Sequence, residues 1–221
     1  TREAQDDYAL RSLIRAREAQ SSGAFENEIT PFNLARKKGD YAVMQDEQPL
    51  NAKPEKIPHL KPAFRADGSV TAANASSISD GAAALIVSSQ THMQQAGLPC
   101  RARILGHASH AQEPAWFSTA PIFATRKLLD RLNWRVEDVD LWEVNEAFAV
   151  VPMAFMNELD ISGDIINVHG GACALGHPIG ASGARIIVTL LHAMERRDVK
   201  RGIAAVCIGG GEGTAIALER P

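Results

Sequence analysis

The sequence predicts an α/β fold in layers: a mixed β-sheet with helices packed on it. Three observations predict it. From Ala72 onward, apolar runs of strand length alternate with stretches of helical period. The last two such runs, Ile203 to Ile208 and Ala215 to Leu218, are separated only by the glycine-rich Gly209 to Gly213. That link is too short for a crossover helix, so the pair is antiparallel and the sheet mixed. Finally, 221 residues with 45% hydrophobic and 22% charged side chains can bury the core of one large domain or two small ones.

Taken in order, Arg2 to Gln20 carries Tyr8, Leu10, Leu13 and Ile14 among many charges and predicts an amphipathic helix, with Thr1 as its cap and Gly23 as its stop. Glu28 to Phe64 is polar and punctuated by Pro31, Pro49, Pro54, Pro58 and Pro62, with a short strand near Tyr41 to Met44. It holds too little apolar material for its own core and is expected to lie on another domain. Strands are then predicted at Ala82 to Val87, Ala102 to Leu105, Val139 to Val144 and Ile165 to Val168, before the terminal pair. Helices are predicted at Thr125 to Leu132, Ala147 to Leu159 and Ala181 to Arg196.

Composition removes several function classes. A formal net charge of -3 argues against general binding to nucleic acid or an acidic membrane surface. Cys100, Cys173 and Cys207 are odd in number and widely spaced, which suits a reducing compartment better than a disulfide framework or a zinc site. No apolar run reaches the roughly 20 residues that span a bilayer. His107-Ala108-Ser109-His110 lacks acidic or cysteine partners at a metal-ligand spacing, so no metal is expected.

Three segments end apolar elements in reactive residues. In Asn145-Glu146-Ala147-Phe148-Ala149 a strand hands over to a helix, and Asn145 could be a site residue or simply the helix N-cap. From Asn167 to Arg185 a strand runs into a glycine-rich loop, with His177 before a helix of small residues and Pro178 stiffening the chain beyond it. That loop could equally be a packing loop around a satisfied histidine. In Val206-Cys207-Ile208-Gly209-Gly210-Gly211-Glu212-Gly213 a strand delivers Cys207 to a glycine run whose amides can receive an oxyanion, or Cys207 is a buried thiol beside a hairpin turn. The run is not a dinucleotide motif, because GxGxxG is absent and a strand follows. Cys173 lies in the glycine loop without a nucleophile-elbow context.

Together these segments resemble the thiolase family, the acyl-CoA:acetyl-CoA acyltransferases. Thr1 to Asp6, Asp67 to Ser76 and Asp80 to Ala84 extend the resemblance over essentially the whole chain. It implies a thiolase-like C-terminal domain at 76–221, preceded at 1–75 by part of the family's loop domain. It implies a Claisen condensation of two acetyl-CoA to acetoacetyl-CoA and CoA, and the reverse thiolysis, with coenzyme A thioesters as substrates and no further cofactor. His177 matches the histidine that activates the acylated cysteine, and Cys207 the base that takes the α-proton of acetyl-CoA. Asn145 matches the residue that fixes a water in the enolate's oxyanion hole, and Gly209 the backbone donor of the second hole. Ser76, Ala147 and Phe148 match positions along the pantetheine of CoA.

His169, Ala73 and Ser77 depart from the commoner family wording, and the phosphate-binding lip is not matched cleanly, leaving Lys53 and Lys56 as candidates. The family's acylated cysteine lies in an N-terminal half that would precede Thr1, and Cys100 has no matching context. The resemblance therefore implies a partial thiolase, inactive alone, whose partner is the missing half. The complete enzyme is expected to be a cytoplasmic homo-oligomer, dimer or tetramer, of fatty acid metabolism. A non-catalytic CoA- or acyl-binding module is the alternative, against which the joint presence of Asn145, His177 and Cys207 argues. A decarboxylating ketoacyl synthase relative would lack the proton-abstracting cysteine.

Overall fold

In the computed structural model, which describes residues 1–37 and 39–221, the chain opens with helix α1 (Arg2–Ser21). Thr1 caps it, its hydroxyl accepting the Ala4 N–H at 3.2 Å. Of the apolar residues read from the sequence, Tyr8 and Leu13 are buried, Leu10 is half-buried, and Ile14 alone lies off the packed face. Ile14 is 46% exposed, whereas Gln5, Asp6, Tyr8, Ala9, Ser12, Leu13, Ala16 and Ala19 are buried. The buried face recurs at three- and four-residue spacing, but it is built of small and polar residues because its partners across the interface are polar.

The proline-rich excursion has a hairpin of β1 (Phe32–Leu34) and β2 (Tyr41–Val43), then α2 (Glu47–Asn51) and a 3₁₀ turn at Pro54–His59. Pro49 and Ile57 are its buried residues in the last two elements, in keeping with a segment that lacks a core of its own. Arginines of α1 hold it instead. Arg17 donates to the carbonyls of Pro49 and Ala52 at 2.8 Å each, and Arg2 to those of Ile57 and Leu60 at 3.2 and 2.9 Å.

The strand predicted at Ala82 to Val87 is absent. The run is irregular, with Ile86 97% and Val87 72% exposed. Its composition suits a strand, but a strand needs a hydrogen-bonding neighbour, and none of the described residues pairs with it. Helix α3 (Gln90–Gln95) follows.

The principal sheet is mixed, as expected. Its strands are β3 (Arg103–Ala111), β4 (Leu141–Val144), β5 (Arg201–Ile208) and β6 (Glu212–Glu219), in the order β3-β6-β5-β4. β6 runs antiparallel to both β3 and β5, and β4 parallel to β5. The run Ile165 to Val168 joins only at one parallel bridge, Trp142 to Ile166. The helices are α4 (Ala120–Leu132), longer than predicted and led by Pro121 in its first turn, α5 (Val150–Leu159), the single turn α6 (Ala172–Leu175) and α7 (Ser182–Arg197).

Strand alternation sorts the core into two faces. Trp142 and Val144 of β4, Ile203, Ala205 and Cys207 of β5, and Ala215 and Ala217 of β6 pack with α4 and α5. Leu141, Ala204 and Leu218 pack with Ile186, Leu190 and Met194 of α7. β4 is buried on both faces, which is why its sequence reads as a continuous apolar run interrupted only by Glu143. No helix among the described residues is long and apolar enough to cross a membrane.

Candidate active site

The parallel pair β4/β5 ends where Asn145 and Cys207 stand. Asn145 follows β4 directly and donates its N–H to Ala205 O at 2.9 Å; Cys207 lies two residues beyond Ala205 on β5. The carboxyl ends of parallel strands are where α/β sheets place their ligands, because the chain leaves the sheet there. Asn145 is not a helix cap: α5 begins only at Val150. Its side chain is turned inward, 1% exposed, with Nδ2 3.4 Å from His177 Nε2 and a buried Oδ1 that has no partner.

His177 is half-buried and held at three points. Its N–H donates to Ser77 O at 3.0 Å, its Nδ1 is 2.6 Å from Ser182 Oγ, and Nε2 faces Asn145. Burial, and then the charge of Arg185, hold its pKa below the ordinary histidine value, which favours the neutral, basic imidazole. The same strip, residues 75–78, brings the other expected positions together. Ser76 donates both its N–H and its Oγ–H to Ala147 O at 3.0 Å, and Ala75 bridges to Phe148. Ala147 and Phe148 thus belong to an irregular turn, not to the helix predicted from Ala147.

Cys207 is 7% exposed at the end of the face that packs with Phe117 and Phe148. Burial pushes its thiol up to about 11, so this chain's own environment keeps it protonated at neutral pH. The sequence expectation of a base required a site that favours thiolate, and burial in this chain works against it. Gly209 sits in the exposed hairpin turn beyond, and a Cβ there would meet nothing within 4 Å. Gly211 closes the turn at φ +101°, a conformation that L side chains avoid.

Two residues of this neighbourhood carry no signal in the sequence. Phe64 and Phe117 flank Phe148 with ring centroids at 6.4 and 6.2 Å. Periodicity cannot flag them, since Phe64 lies in irregular chain and Phe117 in a 3₁₀ turn. Cys173 stands apart from His177 in role: its N–H donates to Glu146 Oε2 at 3.0 Å, and its thiol is raised well above the ordinary value by burial and by Glu146. A cavity of about 710 Å³ has Lys53, Lys56, Asp80 and Cys173 among its walls, but not His177 or Cys207.

Glu146 organises the junction. Fully buried, it accepts from Tyr8 Oη (2.9 Å), Ser12 Oγ (2.7 Å), Asn167 Nδ2 (2.9 Å) and the Cys173 amide (3.0 Å). A Cβ at Gly171 would run into this carboxylate, so the loop glycine is a requirement of close approach.

On the α7 side of the sheet, Arg185 donates to buried Glu143 at 3.0 Å, and Glu28 accepts from Thr189 at 3.1 Å. Burial raises Glu28 to about 7 and Glu143 to about 8, and raises Asp46 too, against the opposing pull of Arg185; Glu146 adds to the rise at Glu143. Their ordinary values are lower, so the folded chain holds protons that the unfolded chain has released, and stability falls as pH rises to about 8. Buried His169 and half-buried His177 and His192, all lowered, act in the opposite sense below their ordinary 6.5. Between about pH 6.5 and 8 the carboxyls are left to dominate, with a loss on the order of 1–2 kcal/mol. Denaturant midpoints should decline across that window, and Glu143→Gln should flatten the decline; a midpoint that rises there contradicts the assignment.

Comparison with known proteins places the chain in a family. The family model described as the thiolase C-terminal domain matches residues 98–220, and the thiolase N-terminal domain model matches residues 1–91. An acetyl-CoA acetyltransferase of Pseudomonas aeruginosa is 50% identical over the whole chain and 56% of its own length, and one of Escherichia coli is 48% identical over 100% and 56%. The crystal structure of the Bacillus anthracis acetyl-CoA acetyltransferase matches with a TM-score of 0.96 at 43% identity, covering all of this chain and 56% of that one. The crystal structure of human mitochondrial 3-ketoacyl-CoA thiolase matches at 0.93 and 37%, with the same coverage. The chain spans about half the length of the curated relatives it matches. With both domain models matched and similarity along the whole of its 221 residues, the chain belongs to the thiolase family.

Proposed function

We propose that this chain carries the proton-transfer and enolate-stabilising part of a thiolase-type acyltransferase, acting on acetyl-CoA and acetoacetyl-CoA. The observation that carries the proposal is the meeting of Asn145 Nδ2 and His177 Nε2 at 3.4 Å, at the strand ends from which Cys207 also emerges. The names of the similar acetyl-CoA acetyltransferases support the substrate class. In this proposal Cys207 takes the α-proton of acetyl-CoA, and the enolate oxygen is received by the Nε2–H that His177 gains during acylation and by a water held on Asn145. The carbanion attacks an acyl-cysteine thioester, whose oxygen is received by the Gly209 amide and whose thiolate leaves. The leaving thiolate recovers its proton from His177; at the next acylation neutral His177 accepts the cysteine's proton and Cys207 passes the α-proton to the departing CoA thiolate. Ser76, Ala147 and Phe148 line the pantetheine.

The acylated cysteine is none of Cys100, Cys173 or Cys207, and comes from the family's N-terminal half. The complete enzyme would be a homodimer or homotetramer. Purified alone, the chain should show no thiolysis of acetoacetyl-CoA above a no-protein control, and addition of an N-terminal half with a reactive cysteine should restore it. Robust turnover by the chain alone would sink the claim of a missing nucleophile. The coenzyme A-binding module is the second reading, favoured by the protonated state in which burial holds Cys207. It predicts CoA binding without turnover in the reassembled protein as well.

A further inference from the structure

We propose that Ser182 is a positioning residue that sets the tautomer of His177, fixing the proton on Nδ1 and leaving Nε2 as a bare lone pair facing the site; this rests on the role of His177 proposed above. Ser182 is 1% exposed at the start of α7, and its Oγ has two neighbours, His177 Nδ1 at 2.6 Å and Pro178 O at 3.0 Å. A carbonyl can only accept, and in this proposal the single hydroxyl proton goes to Pro178 O, which also takes the Ala181 and Ser182 N–H groups at 2.8 and 2.9 Å. In that arrangement Oγ has only lone pairs left for the imidazole, and Nδ1 is the donor. With the neutral ring held by burial, the other nitrogen is unprotonated. That nitrogen faces Asn145 Nδ2, an amide donor that suits a bare acceptor. The donors and acceptors therefore run in one direction, from Asn145 through His177 and Ser182 to the Pro178 carbonyl.

The consequence is chemical. A histidine protonated on Nε2 cannot accept a proton from a thiol on that side, whereas the Nδ1–H form can. Pro178 takes part because its carbonyl, held at a fixed φ one residue after His177, anchors the hydroxyl rotor. The sequence spacing of five between His177 and Ser182 spans the loop and the first residue of α7, so the two are joined across the loop-to-helix junction.

Nitrogen NMR of the 221-residue chain, labelled in its histidines and recorded near pH 8, reads the tautomer directly without any need for turnover. The His177 signals would be assigned by their disappearance in His177→Gln. The expected result is a single tautomer in which Nε2 is unprotonated. In Ser182→Ala the pattern should move toward the mixture of free imidazole, and Ser182→Thr, which keeps the hydroxyl, should restore it. An Nε2–H tautomer in the unsubstituted chain overturns the proposal, as does an unchanged pattern in a folded Ser182→Ala. If Ser182→Ala fails to fold, the unsubstituted chain and Ser182→Thr still decide. In a reassembled enzyme, Ser182→Ala should lower kcat by about tenfold or more with little change in KM, within the roughly 10²–10⁴-fold that a positioned base contributes. Its pH profile should shift, and Ser182→Thr should recover both. A correct tautomer with no turnover by the reassembled protein would reject the acyltransferase reading and leave the role of Ser182 standing.

Discussion

Cys207→Ala is expected to abolish exchange of the α-protons of acetyl-CoA with solvent deuterium in the reassembled enzyme, while acylation of the separate nucleophilic cysteine persists. The loss should approach the roughly 10²–10⁴-fold contributed by a positioned base, because the methyl group of alanine has no lone pair to take the proton. The cost to stability should be small by comparison, about 1 kcal/mol, on the order of one buried methylene. Sγ sits at the end of the Ile203–Ala205–Cys207 face as a free, buried thiol. A large fall in activity with a nearly unchanged denaturant midpoint therefore separates chemistry from folding. Exchange at the unsubstituted rate would exclude Cys207 as the base. The thiol's rise to about 11 in this chain sharpens the experiment. If the N-terminal half proposed above supplies the favour toward thiolate, alkylation of Cys207 near pH 8 should be slow in the isolated chain and faster after reassembly.

Replacing Glu146 should give the largest loss of stability. Glu146→Leu removes the acceptor of four buried donors at once, two of them on α1, one on Asn167 and one on the backbone of the glycine loop. Each stranded donor carries a desolvation penalty, and breaking a buried charged network costs about 3–5 kcal/mol. Tyr8 and Ser12 lie in the segment matched by the N-terminal domain model, and Glu146 and Cys173 in that matched by the C-terminal one. The carboxylate is thus a tie between the two, and losing it should loosen α1 as well as the loop. Glu146→Gln keeps one acceptor oxygen but turns an amide donor toward donors, so it should fall between the wild type and Glu146→Leu. Urea or guanidinium melts of the three proteins test the order, and a Glu146→Leu midpoint within error of the wild type refutes it. Because Asn145 precedes this residue and Ala147 follows it, a shifted Glu146 also moves both ends of the proposed enolate and pantetheine contacts.

Much of the site is legible along the chain because the residues concerned are local to strand ends and glycine loops. The hairpin of β5 and β6 follows from a link too short for a crossover, and that alone makes the sheet mixed. Cys207, His177 and Asn145 are visible as reactive side chains at the ends of apolar runs. The sheet then accounts for their convergence: parallel pairing of β4 with β5 puts Asn145 and Cys207 at the same edge.

Other features depend on what lies across an interface, and the sequence does not display that. Ile14 is as apolar as Leu13, yet one faces solvent and the other the core, since the buried face of α1 is chosen by the polar partners of Tyr8 and Ser12. Ala82 to Val87 has strand composition but no neighbour to pair with, and backbone hydrogen bonds, not composition, make a strand. Ala147 to Ala149 has helical period but is drawn into a turn, because Ala147 O is taken by Ser76 and Phe148 by its bridge to Ala75. Sequence by itself determined the layered mixed-sheet class, the hairpin and the three reactive residues, all set by short-range pattern. Only the tertiary structure decided which faces are buried, which carboxylates keep protons, and how Ser182 and Asn145 hold His177, because each is a matter of distance between residues far apart in the chain or across a loop.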